Sequence, residues 1–131
     1  MINGEWASSI RRSVFIEEQG IDEAEEWDEH DASSVHAVAW WENSPVGTAR
    51  LLPQGKIGRM AVLPEFRSRG IGKALLLALL NVARQQNMKT LRLSAQQQAI
   101  EFYSRHGFAP DGPAHMEVGI PHQWMVLNLT T

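Results

Sequence analysis

A run of basic residues and glycines at positions 67–73, Arg-Ser-Arg-Gly-Ile-Gly-Lys, has the composition of an anion-binding loop. It follows a predicted strand directly and opens a long predicted helix. The first N–H groups of a helix lack intrahelical partners and the helix dipole is positive there, so an anion is well placed. The glycines allow close approach of the backbone, and the two arginines and the lysine add positive charge. The sequence therefore predicts a phosphate or pyrophosphate site.

Length and composition indicate one globular domain spanning residues 1–131, with 44% apolar and 21% charged residues. The absence of cysteine excludes a disulfide framework, a thiolate nucleophile and any Cys-based metal site. The longest strongly apolar stretch, residues 74–80, is too short to span a bilayer, and no signal peptide is visible. We therefore expect a cytoplasmic protein without a membrane partner, and no metal.

The formal charge of −3 is unevenly distributed along the chain. Residues 17–31 contain nine of the fifteen acidic residues and no Lys or Arg, whereas from residue 32 onward five acids stand against ten Lys and Arg, a balance of +5. Six of these basic residues fall within positions 50–73. An anionic ligand is the natural partner of that stretch. Binding to nucleic acid is not expected, because the net charge is negative and the cluster is confined to a helix start.

Hydrophobic periodicity predicts the elements that position this loop. Three strands joined by short turns should form an antiparallel meander, followed by alternating helices and strands, which together favour an α/β layer with a mixed sheet. The predicted helices cover residues 6–19, 68–86 and 96–106, and the predicted strands cover residues 35–42, 46–52, 56–63, 89–93 and 123–129.

Two familiar phosphate-binding motifs fail on specific residues. A Walker A loop requires Gly at position 67 and Ser or Thr at position 74, where this chain has Arg67 and Ala74. A dinucleotide-binding fingerprint requires Gly or Ala at position 75 and an acid near position 90, where the chain has Leu75 and Thr90. Nucleoside triphosphate hydrolysis and dinucleotide binding are therefore disfavoured.

The remaining pattern, Arg-x-x-Gly-x-Gly at 67–72 after the strand segment Gly-Arg-Met-Ala-Val-Leu-Pro at 58–64, resembles the acyl-coenzyme A binding motif of the GNAT N-acetyltransferase superfamily. A second segment at 99–108, Ala-Ile-Glu-Phe-Tyr-Ser-Arg-His-Gly-Phe, is similar to another GNAT segment, a helix that carries a tyrosine and ends in Gly-Phe. The resemblance covers about residues 11–127 and is nearest to a branch of small bacterial GNAT proteins.

This resemblance implies a mixed, mostly antiparallel sheet with helices on both faces and one parallel strand pair that splays apart. The pantetheine arm of acetyl-CoA would insert between strand residues 60–62 and their splayed partner, residues 91–93. The pyrophosphate would bind at the loop analysed above. The residues that the resemblance assigns to coenzyme A are Met60, Ala61, Val62, Arg67, Ser68, Arg69, Gly70, Ile71, Gly72, Lys73, Gln96 and Tyr103.

The resemblance also implies direct transfer of the acetyl group to a primary amine of a small molecule or peptide, with Tyr103 as general acid. Relatives often use a carboxylate on the pantetheine strand as base, but residues 56–63 contain none. His122 and Glu117 are the first candidates for the base; next come Glu18, His36 and Asp31. The missing strand carboxylate leaves open a non-catalytic coenzyme A binding or sensing module. A homodimer is compatible with the resemblance. Four tryptophans could line an acceptor pocket, although most are expected to be core or interface residues: Trp27, Trp40, Trp41 and Trp124.

Overall fold

The computed structural model describes residues 34–129. Within this range the chain forms a seven-stranded sheet in the order β1-β2-β3-β4-β7-β5, and β6 pairs with β7. Its helical segments are two α-helices and two short 3-10 helices. The strands are β1 Val35–Trp41, β2 Ser44–Leu51, β3 Lys56–Val62, β4 Thr90–Gln96, β5 Ala109–Pro110, β6 His115–Glu117 and β7 Ile120–Asn128; the helices are α1 Ile71–Gln85 and α2 Ile100–Arg105, with 3-10 turns at Pro64–Phe66 and Gln97–Ala99.

The first three strands form the predicted antiparallel meander. β1 and β2 are joined by a two-residue turn, Glu42 and Asn43, whose φ angles of 48° and 72° match the hairpin turns that follow the twist of the strands. The turn was predicted one residue later. Pro45 lies instead within β2, opposite Trp40, where an extra residue in β2 shifts its register with β1, the outer strand of the described sheet. The sheet tolerates proline there because the ladder is already interrupted.

Helix α1 is buried along one face, and that face forms the core with the sheet. Leucines and an alanine of α1 pack in one cluster with apolar residues of β2, β3 and β4. Complete burial of a leucine contributes about 1.5–3 kcal/mol, so this face holds the helix on the sheet. This helix was predicted to begin at residue 68. It begins at Ile71 instead, because Gly70 adopts a left-handed conformation. The predicted helix over residues 6–19 lies outside the described residues, and no helix within residues 34–129 is long and apolar enough to cross a membrane.

β3 and β4 form the single parallel pair of the described sheet, and their ladder is short. They pair only at Lys56 with Arg92 and at Ile57 with Leu93. Immediately afterwards β3 has a bulge, because the register with β2 shifts between Thr48 and Arg50 and Arg59 has a φ of 51°. A bulge bends and twists the strand that contains it, which accounts for the divergence of β3 from β4. The predicted splay is present, but β4 diverges at residues 94–96, beyond the predicted 91–93.

The C-terminal third differs most from the prediction. Residue 96 was predicted to begin a helix, but Gln96 ends β4 opposite His122 of β7. A 3-10 turn follows, and α2 begins only at Ile100. β7 begins at Ile120, three residues before the predicted start, and neither β5 nor β6 was predicted. β6 pairs with β7 through a two-residue turn, Val118 and Gly119, with φ angles of 45° and 78°.

Val118 occupies a backbone conformation that β-branched residues rarely adopt. Replacing it with asparagine, which tolerates the left-handed region, is expected to raise the free energy of unfolding by about 1 kcal/mol. Urea unfolding monitored by circular dichroism measures the change. The matched control is Glu42→Val at the equivalent turn position of the β1–β2 hairpin, where φ is 48°, and it should lower stability. If Val118→Asn is destabilising, the valine contributes a contact that outweighs its strained backbone.

Candidate active site

The glycine-rich loop connects β3 to α1 through the 3-10 turn. Ser68 and Gly70 both have left-handed backbones, with φ angles of 65° and 81°, and Gly70 caps the helix. A side chain built at Gly70 would meet nothing within 4 Å, so the space before the helix is open. The first turn of α1 contains no acidic residue. This end of the helix therefore has the bare N–H groups and the free approach that a pyrophosphate requires.

The basic residues of the loop differ in what holds them. The Arg67 Nε donates a hydrogen bond to the carbonyl of Val62, 2.9 Å away, and thereby ties the loop to the end of β3. The guanidinium of Arg69 lies over the rings of Trp41 and Phe66, at 5.2 and 5.8 Å from their centroids. Such cation–π contacts fix a side chain without neutralising its charge. Arg69 is therefore oriented beside the helix start by the tip of the β1–β2 hairpin.

The β3–β4 ladder stops after Ile57 and Leu93, and we call the part between the two strands beyond that point, where β3 runs toward the loop, the slot. Leu63 donates its backbone N–H to Val46 of β2, so by alternation along the strand the backbone groups of Val62 and Met60 point to the opposite edge, toward β4. The β3–β4 ladder does not extend to these residues. Ala61 instead faces Thr48 in the ladder with β2. The slot thus offers strand hydrogen-bonding groups to an extended molecule, as a neighbouring strand would.

Tyr103 of α2 lies on the helix-covered face of the sheet beside this slot. Its side chain is 8% exposed and shares a cluster with Leu93 and Ala95 of β4. The hydroxyl donates to the Sδ of Met60, 3.6 Å away. Burial raises the pKa of the Tyr103 phenol to about 12, so the group keeps its proton at neutral pH.

Because Tyr103 is the only tyrosine of the sequence, its ionisation can be followed alone by near-ultraviolet absorbance. We expect a midpoint near pH 12 in the folded protein and near 10 in urea. Over this interval the unfolded chain has lost the proton and the folded chain has not. The free energy of unfolding should therefore fall by about 2 kcal/mol as the pH rises from 10 to 12. A folded-state midpoint near 10 would mean that the phenol is accessible to solvent.

The opposite face of the sheet carries a polar cluster beside the same part of β4. Side chains alternate along β4, so Ser94 points away from the face that holds Leu93 and Ala95. Its hydroxyl donates a short hydrogen bond to the carboxylate of Glu117 on β6, and the His115 Nε2 donates to the same oxygen at 2.5 Å. Burial alone would raise the pKa of Glu117, but these hydrogen bonds and two nearby histidines hold it below its usual value. Glu117 is therefore ionised at neutral pH.

His122 completes the cluster from β7, where it lies opposite both His115 and the last residue of β4, Gln96. The side chain is 8% exposed. Its Nδ1 lies 2.8 Å from the carbonyl oxygen of Ile120, and because a carbonyl only accepts, this nitrogen carries the proton. In the neutral ring the Nε2 then has the free lone pair, as a general base requires.

The structure thus brings together two of the predicted catalytic residues, Glu117 and His122, on one face, and places Tyr103 on the other. Sequence reasoning missed Ser94 and His115, whereas Trp124 was among the tryptophans considered for an acceptor pocket. Of the second-choice bases, His36 lies on the edge strand β1, paired with Arg50, while Glu18 and Asp31 lie outside the described residues. Among residues 34–129 no three His, Asp or Glu side chains are arranged to hold a metal ion.

Exposure limits the roles open to two of the tryptophans. Trp40 and Trp41 are 48% and 39% exposed, so they are not core residues. Trp124 lies on the same face of β7 as His122, where its ring stacks on His115 at 5.7 Å between centroids. Trp27 lies outside the described residues.

Gln96, which the resemblance assigns to coenzyme A, ends β4, where its side chain accepts a hydrogen bond from the Gln98 side chain at 2.6 Å.

Comparison with known proteins identifies the family. A family model described as Acetyltransferase (GNAT) domain matches residues 10–129. YjcF of Bacillus subtilis (strain 168), named as an uncharacterized N-acetyltransferase, is 35% identical over 121 residues, which are 89% of this chain and 86% of YjcF. The chain belongs to the GNAT acetyltransferase family, and membership implies acetyl transfer from acetyl-CoA.

Solved structures agree on the fold. An acyl-CoA N-acyltransferase from Pseudomonas aeruginosa is 27% identical, with a TM-score of 0.83 over 94% of this chain and 88% of its own. A GNAT family acetyltransferase from Elizabethkingia anophelis, solved with acetyl-CoA bound, is 20% identical, with a TM-score of 0.66 over 78% of this chain and 80% of its own. The sheet with a diverging parallel pair is therefore the GNAT acyl-CoA N-acyltransferase fold, as the sequence predicted.

Proposed function

We propose that this protein transfers the acetyl group of acetyl-CoA to a primary amine by direct attack, with the two substrates on opposite faces of the sheet. The observation that carries the proposal is the slot between β3 and β4. On one side of it lies the protonated Tyr103, and on the other lie the ionised Glu117 and the His122 ring, whose Nε2 is not used by the bond to Ile120. An acid and a base separated by an opening in the sheet suit a reaction in which one substrate loses a proton and the other gains one.

The donor site would be formed by the loop and the slot. The N–H groups at the start of α1 would hold the pyrophosphate, with the charges of Arg69 and Lys73 beside it. Arg67 would act through the end of β3, to which it is bonded. Met60 would bind a pantetheine amide through its backbone, whereas Ala61 is engaged with β2 and the Val62 carbonyl accepts from Arg67, which leaves the Val62 N–H. Acetyl-CoA, when bound, supplies an acetyl thioester at the end of this arm, and a backbone N–H of Val62 would polarise its carbonyl.

Each catalytic side chain then has one task. Glu117 would bind the acceptor as an ammonium ion, and the Nε2 of His122 would accept a proton so that the amine can attack. The nitrogen bonds to the acetyl carbon, the carbon–sulfur bond breaks, and the Tyr103 hydroxyl donates its proton to the departing sulfur. Tyr103 recovers a proton from the nascent amide nitrogen through solvent. Overall, one acetyl group is transferred and one proton is released.

Thiol release with a panel of primary amines tests the proposal. We expect amine-dependent release at a rate well above the hydrolysis of acetyl-CoA alone, with equimolar N-acetyl product detected by mass spectrometry. Saturable binding of coenzyme A without turnover on any amine would favour the alternative of a non-catalytic sensing module. Glu117 argues against that alternative, because β6 supplies the carboxylate that β3 lacks.

A further inference from the structure

Two cations of the acceptor face are not used by the reaction above. Lys56 and Arg92 are direct neighbours across the β3–β4 ladder, at the point where the slot closes. Their side chains share the face of Ser94, because Arg92 is two residues before Ser94 on the same strand. Neither makes an ion pair with a carboxylate within residues 34–129, where the ion pairs are Arg105 with Glu101 and His115 with Glu117.

Trp124 connects these cations to the polar cluster. Its ring centroid lies 4.3 Å from the Arg92 Cζ and 5.4 Å from the Lys56 Nζ, and the ring also stacks on His115. The indole therefore contacts both the two cations, at the closed end of the slot, and His115, which is hydrogen-bonded to the negatively charged Glu117. Burial lowers the pKa of Lys56. The carboxylate of Glu117 opposes this effect, whereas the guanidinium groups of Arg59, Arg50 and Arg92 add to it. A further negative charge beside Lys56 would therefore stabilise its charged form.

We infer that the acceptor is an amine that also carries a carboxylate, and that Lys56 and Arg92 bind this carboxylate while the amino group lies against Glu117. The inference rests on the proposed function and adds the class of substrate. A zwitterion placed across Trp124 meets a charge of opposite sign at each end. A free amino acid is the simplest molecule that carries both groups and is therefore the first acceptor to test. Arginine is well suited to this role, since its guanidinium can bind both oxygens of a carboxylate.

The test compares amino acids with their own carboxamides, for example glycine with glycinamide and L-phenylalanine with L-phenylalaninamide. The amide has the less basic amino group and hence the larger neutral fraction, so without a carboxylate site it should be the better acceptor. We expect kcat/KM to be about tenfold or more higher for the acid, which is the effect of one charge-assisted hydrogen bond. Equal values for the two members of each pair, or a preference for the amide, would overturn the inference.

Variants assign the effect to the two cations. Lys56→Met, which keeps an unbranched side chain, should raise KM for the acid about tenfold and leave KM for the amide unchanged, with kcat preserved for both. Arg92→Gln provides a second variant at an exposed position, where folding is not at risk. The matched control is Lys89→Met, an exposed lysine just before β4, which should change neither KM. If both variants leave the preference for the acid unchanged, the carboxylate binds elsewhere and the inference is wrong.

The remaining outcomes separate this inference from the proposed function. Aminomethylphosphonate serves as a phosphate-like probe, and a preference for it over glycine would contradict a carboxylate site. If amines are acetylated without regard to a carboxylate, the proposed function stands and the inference fails. If no amine is acetylated, the proposed function fails, and titration calorimetry of the coenzyme A complex with L-phenylalanine decides the inference. Binding that Lys56→Met weakens would support it, and absence of binding would overturn it.

Discussion

Replacing Tyr103 with phenylalanine is expected to lower kcat about 100-fold, the lower end of what a positioned general acid contributes, and to leave the dissociation constant of coenzyme A within twofold. The substitution removes only the hydroxyl, whose one contact here is the sulfur of Met60. The ring keeps its edge contacts with Phe102 and Phe108. Thiol release under saturating substrates measures kcat, and calorimetry measures binding.

Ser104→Ala is the matched control for this variant, since it removes a hydroxyl from the next position of α2, where the side chain is exposed. It should leave kcat within twofold of the unchanged protein. A Tyr103→Phe enzyme of normal kcat would remove Tyr103 as the acid and assign protonation of the sulfur to water.

The second large effect is expected from a negative charge in the first turn of α1. Gly72→Asp should weaken binding of coenzyme A about 100-fold, because like charges about 4–5 Å apart near a protein surface repel by about 3–4 kcal/mol. The same aspartate should slightly raise the thermal stability of the free protein, since a negative charge is favourable at a helix N-terminus. Opposite signs for stability and affinity distinguish loss of the anion site from damage to the fold.

Gly72→Ala provides the uncharged control. Its Cβ would lie 3.6 Å from the Phe102 ring, an ordinary contact, and should change affinity far less than the aspartate does. Gly70 is a poorer choice for this experiment, because its φ of 81° would strain any side chain whether or not a phosphate binds there. An unchanged dissociation constant for Gly72→Asp would place the pyrophosphate away from this helix.

The position of the glycine-rich loop between a strand and a helix could be predicted from the sequence because its signals are local, and the donor site that it would form stays a prediction. Basic residues and glycines between a strand and a helix place an anion at one point of the backbone, whatever the rest of the fold does. The bulge that opens the slot has no such signal. Arg59 is a common strand residue, and only the shifted register between β2 and β3 reveals that it occupies a left-handed conformation.

The acceptor side could be predicted only in part, because it depends on strands distant in sequence. Glu117 and His122 were candidates by residue type, but Ser94 joins them only through the register of β4 with β7. The His-Met-Glu segment of β6 would have placed His115 and Glu117 on the same face, had a strand been expected there. No strand was expected there, because a segment of three residues is too short to show a periodic pattern. In addition, valine is a residue type that rarely occurs in a turn.

The short β3–β4 ladder also divides the sheet. On one side, the meander carries α1; on the other, β4 and β7 carry α2, and two residue pairs join the halves in the middle of the sheet. A molecule lying in the slot would bridge this seam as a substitute strand, and any ligand that binds only the folded state stabilises it by mass action, by about 2.7 kcal/mol at 100 times its dissociation constant. The acyl donor would thus hold the two halves of the sheet together as well as react, and the sheet would be most rigid when acetyl-CoA is bound.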